Sequence, residues 1–197
     1  MISLLAADWN FKFGKMPKHP TTAGDGWKFE FPYSLPSDRP PELNSVNYLN
    51  TTHFDKLILN QTLRMTFQVT QSDDVVFEYG FGVDNPGTRP ANVRFYLQKG
   101  LILSNFANTR WWSNPVSMDL VLAKETVTIE VILTPAAWSN INGQMGDTNE
   151  TTINGFNTAV AKAGKIGITF GGGSFFGHGV WVSQGSAEFV LTDYSIS

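Results

Sequence analysis

The chain has 197 residues, 42% of them hydrophobic and only 16% charged, with 18 Gly, 10 Pro and no Cys. A net charge of −3 with no Lys/Arg-rich run argues against electrostatic capture of nucleic acid or of an anionic membrane. The lack of Cys excludes disulfides, thiolate-bound zinc and thiol catalysis.

The opening Met-Ile-Ser-Leu-Leu-Ala-Ala carries no basic residue and is too short to be expected as a signal peptide or a membrane span. First strand-like segments follow at 9–13 and 27–31. The Pro-rich run from Pro32 to Pro41 then reads as an extended surface loop. From Leu63 to Thr70 the apolar Leu63, Met65, Phe67 and Val69 alternate with Arg64, Thr66, Gln68 and Thr70, which is the period of a half-buried strand. A weaker strand is expected over 75–83. Val93, Phe95 and Leu97 repeat the strict alternation, as do Val127, Ile129, Val131 and Leu133. Between these lie weaker candidates at 100–103 and 117–122. Pro135-Ala136-Ala137-Trp138 suits one helical turn with Thr134 as its cap. Ile153, Phe156, Ala159, Val160 and Ala163 fall on one face of a helix over 151–163, which Gly164 stops. The chain returns to strand patterns at 166–170, at 180–183 and at Ala187, Phe189 and Leu191, with a Gly-rich stretch over 171–179 that has the character of a tight hairpin or bulge.

About ten strands are too many for one flat sheet. The expected fold is therefore all-β: a two-sheet antiparallel β-sandwich or jelly roll with one or two short helices, forming one domain over residues 1–197.

A sugar presents apolar C–H faces that stack on aromatic rings and hydroxyls that need amide, carboxylate or guanidinium partners. On the strand around residue 95, Arg94, Tyr96 and Gln98 lie opposite the apolar row, so the pattern predicts a polar, solvated strip with one aromatic ring. Trp111 and Trp112 are consecutive, so one is expected to face water, and Trp181 alternates with Val180 and Val182 beside the Gly-rich stretch. His178, flanked by two Gly, is a further candidate ligand contact. Core burial of each Trp and an ordinary solvated face for Arg94 stand as the plain structural alternatives. The expected function is non-catalytic binding of a polysaccharide or oligosaccharide glycan through exposed aromatics. Its rivals are a glycoside hydrolase or lyase, using a facing carboxylate pair drawn from Glu78, Asp84, Asp119, Glu125, Glu130 or Glu188, or His178 with a Tyr as acid and base, and a structural jelly roll that assembles.

The closing segment from Gly185 to Ile196, with Asp193 before its hydrophobic end, resembles the last strand of bacterial jelly-roll carbohydrate-binding modules. Asp8-Trp9-Asn10-Phe11 and Gly26-Trp27-Lys28-Phe29-Glu30-Phe31 are similar to their early strands. Such modules often clamp their first and last strands with a structural calcium ion, so Asp8 and Asp193, near the two ends, are its candidate ligands if those strands pair, with two turn or strand-end aspartates as the plain alternative. Ser195 stands where those modules usually carry their aspartate, so Asp193 is the one position matched to the closing strand.

Overall fold

The computed structural model describes residues 2–12, 16–35, 44–80, 90–102, 106–172 and 179–197. Its strands are β1 (Trp9–Lys12), β2 (Thr21–Ala23), β3 (Gly26–Glu30), β4 (Tyr48–Thr51), β5 (Thr62–Gln71), β6 (Val76–Tyr79) and β7 (Asn92–Lys99). They continue with β8 (Arg110–Asp119), β9 (Val127–Ile132), β10 (Ser139–Asn140), β11 (Ala163–Gly171), β12 (Val180–Gln184) and β13 (Ala187–Ile196), and the α-helix α1 spans Glu150–Ala161.

One sheet has six strands in the order β1-β4-β11-β7-β8-β10, a second has five in the order β2-β3-β13-β5-β9, and β12 pairs with β6 in a small ribbon. Every pairing within these sheets is antiparallel. The fold is an all-β sandwich, compatible with a jelly roll.

Alternation decides what enters the space between the sheets. Leu63, Met65, Phe67 and Val69 of β5 turn inward and are fully buried, as are Phe189 and Leu191 of β13 and Val93, Phe95 and Leu97 of β7. Phe189 sits at the centre, its ring 5.0 Å from Phe67, 5.2 Å from Phe170 and 5.6 Å from Phe29. Such ring clusters add to the stabilisation from area burial alone. The buried Tyr194 of β13 crosses the sandwich and donates its phenolic hydrogen to the Gly167 carbonyl of β11 at 2.9 Å. Burial raises the Tyr194 pKa, so the phenol keeps the proton that this bond requires.

Helix α1 begins one residue before the expected 151–163 and ends two before it. Asn149 accepts from the Thr152 amide at 3.0 Å while Thr152 Oγ1 accepts from the Asn149 amide at 3.0 Å, a reciprocal cap that fixes the start. Its buried face, led by Phe156, packs on Trp111 at 5.2 Å and Trp138 at 6.0 Å. Pro135–Ala137 forms the expected single turn, although the Thr134 side chain makes no capping bond. The weak strand expected at 100–103 is absent from the described part of that stretch: Gly100 makes an isolated bridge to Ala163, and Leu101 and Ile102 form a bend.

Candidate functional site

The outer face of the six-stranded sheet is where sequence and structure part company. In β7 the alternation holds, with Arg94, Tyr96 and Gln98 opposite the core row, yet all three are almost wholly buried, at 2% exposure each. The expected solvated strip is therefore corrected: this face is covered. Its register explains the covering. Asn10, Asn50, Gly167, Tyr96, Trp112 and Ser139 form one row across all six strands. Lys12, Tyr48, Thr169, Arg94 and Ser117 form the next. Tyr96 stands 4.9 Å from Tyr48 and 5.6 Å from Trp112, so the rings shield one another and the strands beneath them.

A local irregularity organises the polar end of this face. Between the pairs Arg94–Ser117 and Tyr96–Trp112 only Phe95 intervenes on β7, against Ser113 to Val116 on β8. Phe95 N–H donates instead to Ser113 Oγ at 3.0 Å, and that hydroxyl donates to the Val116 carbonyl at 2.8 Å. The surplus residues bring Asn114 against Arg94. The guanidinium donates to Asn114 Oδ1 and, from Nε at 3.0 Å and Nη2 at 2.5 Å, to Asn92 Oδ1, while Asn114 Nδ2 donates to Ser139 Oγ. Arg94 is thus held in a structural network.

At the other end of the two rows lies a cavity of about 360 Å³ lined by Lys12, Tyr48, Asn50, Tyr96, Gln98, Leu101 and Lys165. This is within the size range of small-ligand sites, roughly 300–1,000 Å³. The Tyr96 hydroxyl donates to Gln98 Oε1 at 2.8 Å, and Gln98 Nε2 donates to the Gly100 carbonyl at 3.1 Å, which orients the amide. Gly100 has φ +66°, a left-handed turn open to glycine, and the turn delivers Leu101 to the cavity mouth. Asn50 lines the cavity, and its side-chain amide makes no hydrogen bond among the described residues. Burial pushes the Tyr48 pKa up to about 12, offset in part by the Arg110 charge and by the Trp112 indole, and burial also raises Tyr96. Both phenols are neutral donors near neutral pH.

The tryptophan expectation is overturned. Trp111 and Trp112 have no exposure and Trp181 has 5%, and Trp9, Trp27 and Trp138 are equally enclosed, so none is a stacking platform. Trp111 is roofed by Phe156 of α1 and donates from Nε1 to the Asn108 carbonyl at 3.2 Å. Trp112 lies under the Arg110 guanidinium, 5.7 Å from its ring centre. Trp181 sits opposite Glu78 in the β6–β12 ribbon. His178 lies outside the described residues, as does Asp84.

The calcium clamp requires the first and last strands to pair. They do not, because β1 belongs to the six-stranded sheet and β13 to the five-stranded one. Trp9 and Tyr194 meet in the core at 5.2 Å, and the neighbouring acids have separate partners. Asp8 accepts from Ser3 Oγ at 2.5 Å and lies 3.5 Å from His53 Nδ1, whereas Asp193 accepts from Ser195 Oγ at 2.9 Å. Among the described residues no group of three or more His, Asp or Glu side chains converges on a metal position. The first and last strands therefore form no paired clamp around these two aspartates.

Of the carboxylates weighed as hydrolytic pairs, Glu188 lies 3.0 Å from Lys28 Nζ and Glu130 accepts from Arg64 Nε at 2.6 Å, both on the outer face of the five-stranded sheet. Glu188 stands opposite Glu30, and both border two shallow troughs. None of these acids lines the Tyr48–Tyr96 cavity. Reading the sequence found Tyr96 and Gln98 but missed Lys12, Tyr48, Asn50, Leu101 and Lys165. The signal for Lys165 was present, since Lys165, Gly167 and Thr169 alternate with Ile166, Ile168 and Phe170. No protein-family model matches the chain, and comparison with curated proteins and with solved structures likewise gives no match.

Proposed function

We propose that the protein is a non-catalytic saccharide-binding domain whose ligand occupies the Tyr48–Tyr96 cavity on the outer face of the six-stranded sheet. The observation that carries this reading is the meeting, in one cavity, of two phenols with the amides of Gln98 and Asn50, the latter making no hydrogen bond among the described residues. The Asn50 amide is available to a ligand entering the cavity, and a sugar hydroxyl both donates and accepts. Leu101, exposed at the cavity mouth, offers apolar surface to the C–H face of the same sugar. The described lining holds no carboxylate, so it supplies neither member of the acid pair that glycoside hydrolysis uses.

Isothermal titration calorimetry of the full chain against plant, algal and bacterial oligosaccharides tests this. Saturable binding to at least one class is expected, weakened about tenfold in Asn50→Leu, which keeps the volume and removes the hydrogen-bonding group. Binding to none of the panel, or equal affinity in the variant, refutes the proposal.

A further inference from the structure

We infer that the ligand of this cavity is an acidic saccharide, its oxyanion held between the ammonium groups of Lys12 and Lys165. The inference rests on the saccharide reading above and names the class of sugar. Its basis is the charge balance of the described lining: two lysines, no acid, and neutral amides and phenols, in a chain whose overall charge is −3. Lys12 extends from β1 beside Tyr48, and Lys165 extends from β11 beside Gln98, so the cations approach the cavity from two strands separated by β4. Among the described residues neither ammonium has a carboxylate within ion-pair distance, although Lys28, Lys124 and Arg64 elsewhere each have one.

Two uncompensated cations on one hollow repel each other. The Lys165 pKa is lowered, first by loss of solvent and then by the Lys12 charge. An oxyanion placed between them relieves both effects and gains charge-assisted hydrogen bonds. Asn50 and the free hydrogen of the Gln98 amide then serve the adjoining ring hydroxyls. A uronate carboxylate and a sulfate ester present the same chemistry to the lysines.

The test is calorimetric titration of the full chain with three oligosaccharides of equal length: an oligouronate, a sulfated one and a neutral one. The expected result is at least a tenfold preference for one or both acidic ligands at 50 mM salt, falling as salt rises. Lys12→Met and Lys165→Met should each reduce that preference severalfold, and Lys165→Arg should restore most of it, which separates charge from fold. The uronate and sulfate arms identify which oxyanion is recognised. Equal affinity for acidic and neutral ligands, or a preference that survives in both Met variants, overturns the inference while leaving saccharide binding intact. Failure of all three ligands to bind overturns both.

Discussion

Gly167 is the position at which the sandwich and the cavity are most tightly coupled, and adding one methyl group there tests the coupling. The residue lies between Asn50 and Tyr96 in the row beneath the cavity, and its carbonyl receives the Tyr194 hydroxyl from the opposite sheet. A Cβ at this position would fall 2.0 Å from the Leu49 carbonyl oxygen and 2.7 Å from Asn50 Cα. Both obstacles are backbone, so no side-chain rotation relieves the clash and β4 must move away from β11. At an unstrained site Gly→Ala stabilises a protein by about 0.4–1 kcal/mol through the unfolded chain. Here overpacking reverses the sign, and Gly167→Ala should cost about 2 kcal/mol or more. In urea the unfolding midpoint should fall by about 1 M, and the melting temperature by roughly 4–8 °C. Because β4 carries Asn50, saccharide affinity should fall with stability. A loss below about 0.5 kcal/mol, the range of an ordinary surface substitution, would refute the close approach of these strands.

Two further expectations follow from named contacts. Asn149→Ala removes one half of the reciprocal cap of α1 and should cost about 1 kcal/mol, read from chemical denaturation; an unchanged midpoint would count against the cap as a stabilising feature. Tyr48 has a folded-state pKa near 12, above its ordinary value of 10.0, so its contribution to stability is intact below pH 10 and is lost as pH rises through about 12. Denaturation midpoints measured across that window should fall with pH, less steeply in Tyr48→Phe. Equal slopes would show that Tyr48 titrates as if exposed.

Strands with one dry and one wet face were legible, and β5, β9, β7 and β13 appear where alternation places them. β4 was not, because all four of its residues are buried: Tyr48 and Asn50 on one side and Leu49 and Thr51 on the other leave no contrast of polarity to read. The same blindness governs the site. Alternation assigned Arg94, Tyr96 and Gln98 to the correct face of β7, but a period of two says nothing about what lies above that face. Ring against ring across neighbouring strands buries it, and this depends on register between segments more than a hundred residues apart in some pairs, such as Thr169 with Tyr48. The tryptophans misled for a related reason: alternation chooses a side, while helix α1 and the neighbouring phenols decide whether that side is wet.

The cavity draws its walls from β1, β4, β7 and β11, so its first contributor is Lys12 and its last is Lys165. During synthesis the earlier strands leave the ribosome with a vacant place between β4 and β7 that only β11 can fill. The cavity is not complete until that late segment inserts, and such distant pairings form slowly. A chain truncated before β11 therefore lacks the cavity, and with it the proposed ligand site.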